Sequence, residues 1–206
     1  ILANSSGTGL AVGAVSPSSQ ITVRVWSFDP GTIIDAGFFQ DRIGAALARR
    51  GPAASADCAR RLVNGESDLL PGLIVDQYGG FLVCQFLAAG VERWRAEIVA
   101  ALVHHCAPTG IWERSDVEVR HKEGLAPRSG LLWGEEPPEQ VDVQVSGLRF
   151  AADLRTGHKT GLYLDQAENL SVISEFSRGR EVLNSFAYTG AFVLAALRGG
   201  ATRVTS

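Results

Sequence analysis

The chain has 206 residues, of which 46% are apolar and 20% are charged, and this composition excludes an intrinsically disordered protein. No apolar run reaches the ~18 residues of a membrane span, and residues 1–10 lack the basic start of a signal peptide, so a cytoplasmic protein is expected. The formal net charge of -3 does not provide the strongly basic surface that favours binding to a phosphate backbone. Because methionine is absent, even at position 1, we expect a part of a longer protein.

The cysteines and histidines do not form a metal-binding pattern. Cys58, Cys84 and Cys106 are too far apart for a C-x-x-C pair, and their odd number favours reduced, buried thiols over disulfides. His104 and His105 are neighbours, and neighbours on a helix point about 100° apart, so they do not form a natural metal pair. We expect at least one of them to cap the end of a helix, and we predict no metal site.

The first 30 residues have the features of the end of a β-domain. Residues 20–26 alternate apolar and polar side chains with the period of two that is typical of a half-buried strand. Upstream, several glycines and the serine- and proline-rich cluster 16–19 form a loop-rich stretch with room for only one more short strand. We therefore predict the remnant of a β-rich domain over residues 1–30.

Residues 31–140 are predicted to form a central domain of mixed strands and helices. Two arginine pairs in this region, Arg49-Arg50 and Arg60-Arg61, are the local clusters that would have to contact RNA if RNA is a partner, although a solvated helix or strand face is the more common explanation of any single cluster. The predicted elements are a helix ending at Gly51, strands at 60–64, 73–75 and 81–86 with a Gly79-Gly80 hairpin turn, a helix at 91–106 and a strand at 110–113.

Residues 141–206 follow the acidic, proline-rich boundary 134–138 and have a different order of predicted elements. Apolar residues alternate on both sides of Ser146-Gly147, which predicts a hairpin over 141–152. A helix at 162–176, a strand at 182–184, a helix at 190–197 and a strand from Ala201 then describe an opening βαβ unit.

Two polar loops of this last region are candidate ligand sites. In the stretch 181–192, a buried strand leads to a loop, and Gly190 opens the next helix, so that backbone N–H groups there can face a ligand. One glycine stands where the dinucleotide fingerprint has three, so a structural turn and a loop for a smaller ligand both stay open. In the stretch 153–166, two glycines bracket a basic loop, whose polar side chains would lie near one surface. The alternative is that Gly157 and Gly161 only terminate a structural loop and that Asp165 pairs with a neighbour.

Three motifs in a fixed order give a more specific indication. They are R-L-V-N-G-E-S-D-L-L-P-G-L-I-V-D-Q-Y-G at 61–79, G-H-K-T-G-L-Y-L-D-Q at 157–166 and V-L-N-S-F-A-Y-T-G-A-F at 182–192. Together they resemble the class I S-adenosylmethionine-dependent methyltransferases that modify C5 of cytosine in large-subunit (23S) ribosomal RNA.

The resemblance implies an overall α/β fold in three parts. Residues 1–30 would be the C-terminal remnant of a PUA RNA-binding domain, 31–140 an α+β central domain, and 141–206 the start of a Rossmann-like methyltransferase domain. S-adenosyl-L-methionine would be the cofactor and 23S ribosomal RNA the partner, with no membrane association and with a homodimer as one expected oligomeric state.

The resemblance also implies site residues. Two positions depart from the family pattern, because His158 stands where the family has glutamine and Ala167 where it has arginine. No catalytic residue is assigned, since the expected nucleophilic cysteine and proline-rich loop do not occur in the chain, and we expect the chain by itself to be inactive. Lys159 and Thr160 would contact substrate. The cofactor would be bound by Tyr163, Asp165, Gln166, Asn184, Ser185, Phe186, Tyr188, Thr189 and Gly190.

Two other functions remain as alternatives. The chain could be a non-catalytic RNA-binding or assembly module, which the weak net charge disfavours. It could also belong to a methyltransferase that acts on a small molecule. The PUA-like start favours RNA over a free metabolite.

Overall fold

A five-stranded mixed sheet lies at the centre of the computed structural model, which describes all 206 residues, and three smaller sheets surround it. None of the helices is both long and apolar enough to span a bilayer. The strands are β1 (Leu2–Ala3), β2 (Gly9–Val15), β3 (Val23–Ser27), β4 (Ala59–Asn64), β5 (Leu73–Tyr78), β6 (Phe81–Phe86), β7 (Gly110–Ser115), β8 (Arg128–Gly134), β9 (Val141–Val145), β10 (Leu148–Ala152), β11 (Glu181–Leu183) and β12 (Arg203–Thr205). The helices are α1 (Ala36–Arg50), α2 (Ala89–Arg93), α3 (Arg95–Cys106), α4 (Val119–Lys122), α5 (Ala167–Phe176) and α6 (Ala191–Arg198).

The N-terminal strands form a three-stranded antiparallel sheet in the order β1-β2-β3. The sequence predicted one short strand before residue 20, and the structure corrects this to two, because β2 runs through Gly9 and Gly13. A side chain at Gly13 would lie 2.6 Å from the carbonyl oxygen of Arg24, so glycine here permits close approach of β3 at a bulge. Gly9 and Gly13, which indicated a loop in the sequence, are therefore part of a strand.

The central sheet has the order β4-β5-β6-β7-β8, and only the pair β6 and β7 is parallel. The strands β4 to β7 and the two-residue Gly79-Gly80 connection between β5 and β6 are as predicted. Strand β8 was not predicted. It lies at the edge of the sheet, and most of its residues are exposed, so its sequence lacks the apolar alternation that marks a half-buried strand.

Helix α1 begins and ends where local chemistry predicts. The carboxylate of Asp35 accepts the N–H of Phe38 at 2.9 Å, and Gly51 ends the helix with φ of 66°. The single helix predicted for 91–106 is instead two helices, because Trp94 leaves the helical conformation with φ of -100° and ψ of 22°. Its indole packs on Phe39 of α1, with ring centroids 5.4 Å apart.

The prediction that a histidine caps α3 is wrong. Ala107 adopts a left-handed conformation, and its N–H donates to the carbonyl of Val103, which closes the helix. His105 instead reaches across to α1, where its Nε2 lies 3.0 Å from the carbonyl oxygen of Gln40. The imidazole therefore joins two helices, and no group of three or more His, Cys, Asp or Glu side chains in the chain is arranged to hold a metal ion.

The central sheet separates two hydrophobic cores. The first contains 19 buried residues, lies between the sheet and helices α1 and α3, and includes Cys84. The second contains 12 buried residues, mostly from the 141–206 region together with Ala59, Tyr78 and Val83 of the sheet. Residues 141–206 therefore pack on the face of the sheet opposite the helices.

The elements of the 141–206 region largely follow the predictions. Strands β9 and β10 form the hairpin, and Ser146 and Gly147 have φ of 50° and 74°, as a two-residue hairpin turn requires. Strands β11 and β12 are parallel and are joined by α6. The helix predicted from 162 begins only at Ala167, because a short 3₁₀ turn occupies Leu164–Gln166.

Three of the four arginines that were candidate RNA contacts are held in ion pairs within the protein, and the fourth, Arg60, donates hydrogen bonds to Gln77 and to the carbonyl of Gly51. Arg49 and Arg50 both donate to the buried carboxylate of Asp68, at 2.7 and 2.5 Å. Arg61 donates to Asp76 through two nitrogens. These guanidinium groups are therefore engaged in joining α1 and β4 to neighbouring parts of the central domain.

The ion pairs of Asp68 with Arg49 and Arg50 are expected to make the free energy of unfolding depend on pH. Burial by itself raises the pKa of Asp68, but hydrogen bonds from Arg50 and Arg49 lower it overall, below its ordinary value of 3.8. A carboxyl with a lowered folded pKa stabilises the fold above its unfolded pKa, and this contribution disappears as pH falls through the folded pKa. We expect Asp68→Asn to cost about 1–3 kcal/mol at pH 7.

Urea unfolding of both chains between pH 7 and pH 2 measures this effect. The difference in the free energy of unfolding between the wild type and Asp68→Asn should begin to narrow at about pH 4, where the carboxyl protonates in the unfolded chain, and should narrow further as the pH falls through the lower pKa of the folded state. A difference that stays constant across the whole range would show that the ionised carboxylate does not stabilise the fold.

Candidate functional site

A largely apolar cavity of about 340 Å³ lies where the two candidate loops meet the β9–β10 hairpin. The hairpin forms the floor, the segment 162–166 and α5 form one wall, and the loop after β11 with the start of α6 forms the other. The lining residues are Val145, Phe150, Leu162, Tyr163, Leu164, Gln166, Leu170, Phe186, Ala187, Tyr188, Thr189, Ala191 and Phe192.

The loop between β11 and α6 has an unusual backbone. Phe186, Tyr188 and Gly190 all have positive φ, at 63°, 48° and 75°. Left-handed backbone costs energy at non-glycine residues and persists at sites where the surrounding structure holds it. The strand β11 is paired with β12, and α6 follows at once, so both ends of this loop are fixed.

Tyr188 connects the two candidate loops. Its hydroxyl accepts the backbone N–H of His158 at 2.9 Å and donates to the carbonyl of Gly161 at 3.3 Å. Its ring stacks on the imidazole of His158, with centroids 4.4 Å apart and planes 16° apart. The ring of Tyr163 meets Tyr188 edge-on at 5.5 Å. Three aromatic side chains from the two loops therefore form one cluster beside the cavity.

An exposed ion pair lies next to this cluster. Lys159 donates to Asp165 at 2.9 Å, and its ammonium lies 4.5 Å from the centre of the Tyr163 ring. Partial burial raises the pKa of Asp165, but the hydrogen bond and the charge of Lys159 lower it overall. Lys159 and Asp165 are both exposed at the surface and are both engaged with each other.

Thr160 is placed differently from its neighbour Lys159. Its side chain is only 1% exposed and points toward the central sheet, where its hydroxyl lies 2.9 Å from that of Tyr78 and donates to Asp76 at 2.7 Å. Thr160 does not line the cavity. The two residues expected to contact substrate thus lie on opposite sides of the loop.

The residues expected to bind the cofactor are partly brought together. Tyr163, Gln166, Phe186, Tyr188 and Thr189 line the cavity. The other four, Asp165, Asn184, Ser185 and Gly190, belong to the same two loops but do not line it.

Asn184 leaves one polar atom without a partner. Its backbone N–H donates to the carbonyl of Thr205, which fixes the end of β11 beside β12. Its side-chain Nδ2 is buried and has no hydrogen-bond acceptor. Buried polar groups are nearly always paired, so this amide nitrogen is an unsatisfied donor at the start of the loop, beside the cavity residues but not among them.

The apolar part of the lining was missed by the sequence analysis. Val145, Phe150 and Leu170 were assigned only to strands and a helix, yet they form part of the floor and sides. Their inward positions in the hairpin and helix gave a signal of burial, but that signal does not distinguish a filled core from a cavity. Such a surface suits a flat, uncharged ring, and the few polar groups at its margin can orient it.

The chain matches a family model described as S-adenosylmethionine-dependent methyltransferase over residues 73–206. Its curated relatives include proteins named Ribosomal RNA large subunit methyltransferase I from Pseudoalteromonas translucida and Photobacterium profundum. Each is 47% identical, and each match covers 98% of this chain and 52% of the relative. The chain therefore spans about half the length of the curated relatives it matches.

Two solved structures share the fold. One is from Streptococcus mutans and is described as a SAM-dependent methyltransferase, with a TM-score of 0.81 and 30% identity. The other is described as a methyltransferase complexed with SAH, with a TM-score of 0.82 and 29% identity. Both matches cover 98% of this chain and 52% of the solved chain. By its sequence match and its fold, the chain belongs to the S-adenosylmethionine-dependent methyltransferase family.

Proposed function

We propose that the cavity between the two loops binds S-adenosyl-L-methionine and that a protein carrying this chain methylates C5 of a cytosine in large-subunit ribosomal RNA. The observation that carries the proposal is the junction at Tyr188, where the two motif loops close around one apolar cavity beside the end of β11. The 47% identical relatives named for the large ribosomal subunit support the RNA substrate.

The residues around the cavity fit the chemistry of this cofactor. Tyr163, Phe186 and Tyr188 would offer aromatic faces to its adenine ring, because they combine a large apolar area with a defined geometry. The hydroxyl of Thr189, at the margin of the cavity, would serve its polar groups. When bound, the cofactor supplies an electrophilic methyl group, and the cavity would exclude water from it.

The thiols of the chain support the further proposal that it does not methylate cytosine by itself. Methylation at C5 of cytosine uses a thiolate that first attacks C6, which makes C5 electron-rich. Burial raises the pKa of both Cys84 and Cys106, which disfavours the thiolate form. Cys58 is buried, and none of the three lines the cavity.

The same proposal divides the chain into domains. Residues 1–30 would be the remnant of a PUA domain, 31–140 the central domain and 141–206 the opening of the methyltransferase domain. The antiparallel sheet β1-β2-β3 and the separate core beneath residues 141–206 support these boundaries. The homodimer stays a prediction, which light scattering in solution would check.

Calorimetric titration of the chain with SAH and a methyl-transfer assay with labelled S-adenosylmethionine test the proposal. We expect SAH to bind the chain, no transfer by the chain alone, and transfer to cytosine C5 of 23S ribosomal RNA by a longer protein that contains it. No SAH binding would refute the assignment of the cavity. Transfer to metabolites but not to RNA would favour the small-molecule alternative, and RNA binding without any transfer would favour the assembly module.

A further inference from the structure

Strand β5 presents different chemistry to the two faces of the central sheet. Leu73 and Val75 belong to the core beneath the helices. Asp76 and Tyr78 point to the other face, toward residues 141–206, and both are 0% exposed. A buried carboxylate costs much free energy unless it is paired, so Asp76 needs partners at this position.

Asp76 and Tyr78 both have hydrogen-bond partners in the loop that leads into the cavity wall. The hydroxyl of Thr160 lies 2.7 Å from Asp76 and 2.9 Å from the hydroxyl of Tyr78. The backbone N–H of Leu162 donates to the same Tyr78 hydroxyl at 3.1 Å. Leu162 itself lines the cavity, so the hydroxyl of Tyr78 directly connects the central sheet to the cavity wall.

The number of available hydrogens determines which group donates in each of the hydrogen bonds among Asp76, Thr160 and Tyr78. Arg61 donates two hydrogen bonds to Asp76, so both oxygens of this carboxyl group act as acceptors. A threonine hydroxyl has one hydrogen, and that of Thr160 goes to Asp76. The Tyr78 hydroxyl must therefore donate to Thr160 while it accepts from Leu162. Burial raises the pKa of Tyr78, so this hydroxyl keeps its proton throughout the neutral range.

A second strand of the central sheet holds the start of the same loop. Arg114 on β7 is buried, and its guanidinium donates to the carbonyl of Leu154 at 3.3 Å and to that of Gly157 at 2.9 Å. The segment 154–162 is therefore attached to the sheet at both ends. Tyr188 holds its opposite side, through His158 and Gly161.

We propose that Tyr78 and Thr160 are positioning residues, which fix the cavity wall 162–166 against the central sheet and thereby set the affinity for the cofactor. This inference rests on the proposed function, because it takes the cavity to be the cofactor site. It gives Thr160 a role inside the protein in place of the substrate contact expected from the sequence. The central domain would then support the cofactor site through Tyr78 without lining the cavity.

Single-atom changes separate positioning from general packing. Tyr78→Phe removes one hydroxyl and leaves the aromatic packing in place. Thr160→Val removes the Thr160 hydroxyl at nearly constant volume, and Thr160→Ser restores it. Thr32→Val is a matched control, because the Thr32 hydroxyl makes a 2.7 Å hydrogen bond to Ser27 in the N-terminal region, outside the cavity lining.

Two measurements on the chain test the proposal, namely calorimetric titration with SAH and amide hydrogen exchange at Leu162. Tyr78→Phe and Thr160→Val should each weaken SAH binding about tenfold and speed exchange at Leu162 about tenfold. Each substitution breaks the series of hydrogen bonds that runs from Asp76 through Thr160 and Tyr78 to Leu162. Thr160→Ser should stay within about twofold of wild type for both readouts, as should Thr32→Val. Thermal melting of each variant confirms that it is folded.

The two readouts distinguish failure of this inference from failure of the proposed function. If the wild-type chain does not bind SAH, the proposed function fails, and exchange at Leu162 still decides whether Tyr78 and Thr160 hold the wall. If the wild type binds SAH and the folded Tyr78→Phe and Thr160→Val variants bind it equally well, the inference is overturned. Unchanged exchange at Leu162 in these variants also overturns it.

Discussion

Replacing Tyr188 with alanine is expected to weaken SAH binding roughly 100-fold, since it removes two hydrogen bonds and the ring stack on His158, all of which join the two loops. Each hydrogen bond is worth about 1 kcal/mol, and a stacked aromatic pair about 0.5–1.5 kcal/mol. Without them, the loop 157–161 loses its attachment to the loop after β11. The side of the cavity that Tyr188 lines is lost at the same time.

Calorimetric titration of Tyr188→Ala and Tyr188→Phe with SAH measures this loss of affinity and separates the contribution of the hydroxyl from that of the ring. Tyr188→Phe keeps the ring stacked on His158 and removes only the hydroxyl, so its SAH affinity should lie between those of the wild type and the alanine variant. Both variants are compared at a temperature where melting curves show them to be folded. If Tyr188→Ala binds SAH as tightly as wild type, Tyr188 does not form part of the cofactor site.

Replacing Asp76 with alanine is expected to lower the free energy of unfolding by about 2–4 kcal/mol, because it leaves the half-buried guanidinium of Arg61 and the buried hydroxyl of Thr160 without their acceptor. Asp76 is 0% exposed and accepts hydrogen bonds from Arg61 and from Thr160. Its removal leaves the guanidinium of Arg61 without its carboxylate and breaks the series that ends at Leu162. The loss should therefore exceed that of an ordinary surface substitution several-fold.

Urea unfolding of Asp76→Ala, with Asp142→Ala as its matched control, measures this loss. Asp142 also lies on a strand, but it is exposed, so removing its carboxylate should change the free energy of unfolding by less than about 0.5 kcal/mol. Equal stability losses in the two variants would show that the Asp76 pairing does not stabilise the interface between the sheet and residues 141–206.

Several elements follow from local sequence alone, because their signals lie within a few residues. The Ser146-Gly147 turn specifies the β9–β10 hairpin through two positive φ angles. Asp35 and Gly51 fix the ends of α1 through hydrogen bonds and backbone conformation close to those residues. In contrast, Trp94 divides the predicted second helix and packs against a ring of α1, which no local pattern shows.

The two loops of the candidate site could be predicted from the sequence, but its apolar floor could not. The motif containing Tyr188 and the motif containing Tyr163 indicated the two loops, and the structure brings both tyrosines to one cavity. The apolar floor from Val145 and Phe150 could not be distinguished from ordinary core, because burial gives the same pattern in both cases.

The sequence by itself determined the family, the order of most elements and the two loops, since motifs and periodicity are properties of short segments. Only the tertiary structure decided which partners the charged and hydroxyl groups take. It pairs Arg49 and Arg50 with Asp68 and joins Tyr78 to Thr160, which lies 82 positions away. The physical reason is that a buried polar group must find a partner wherever the folded chain supplies one, and sequence distance does not restrict that choice.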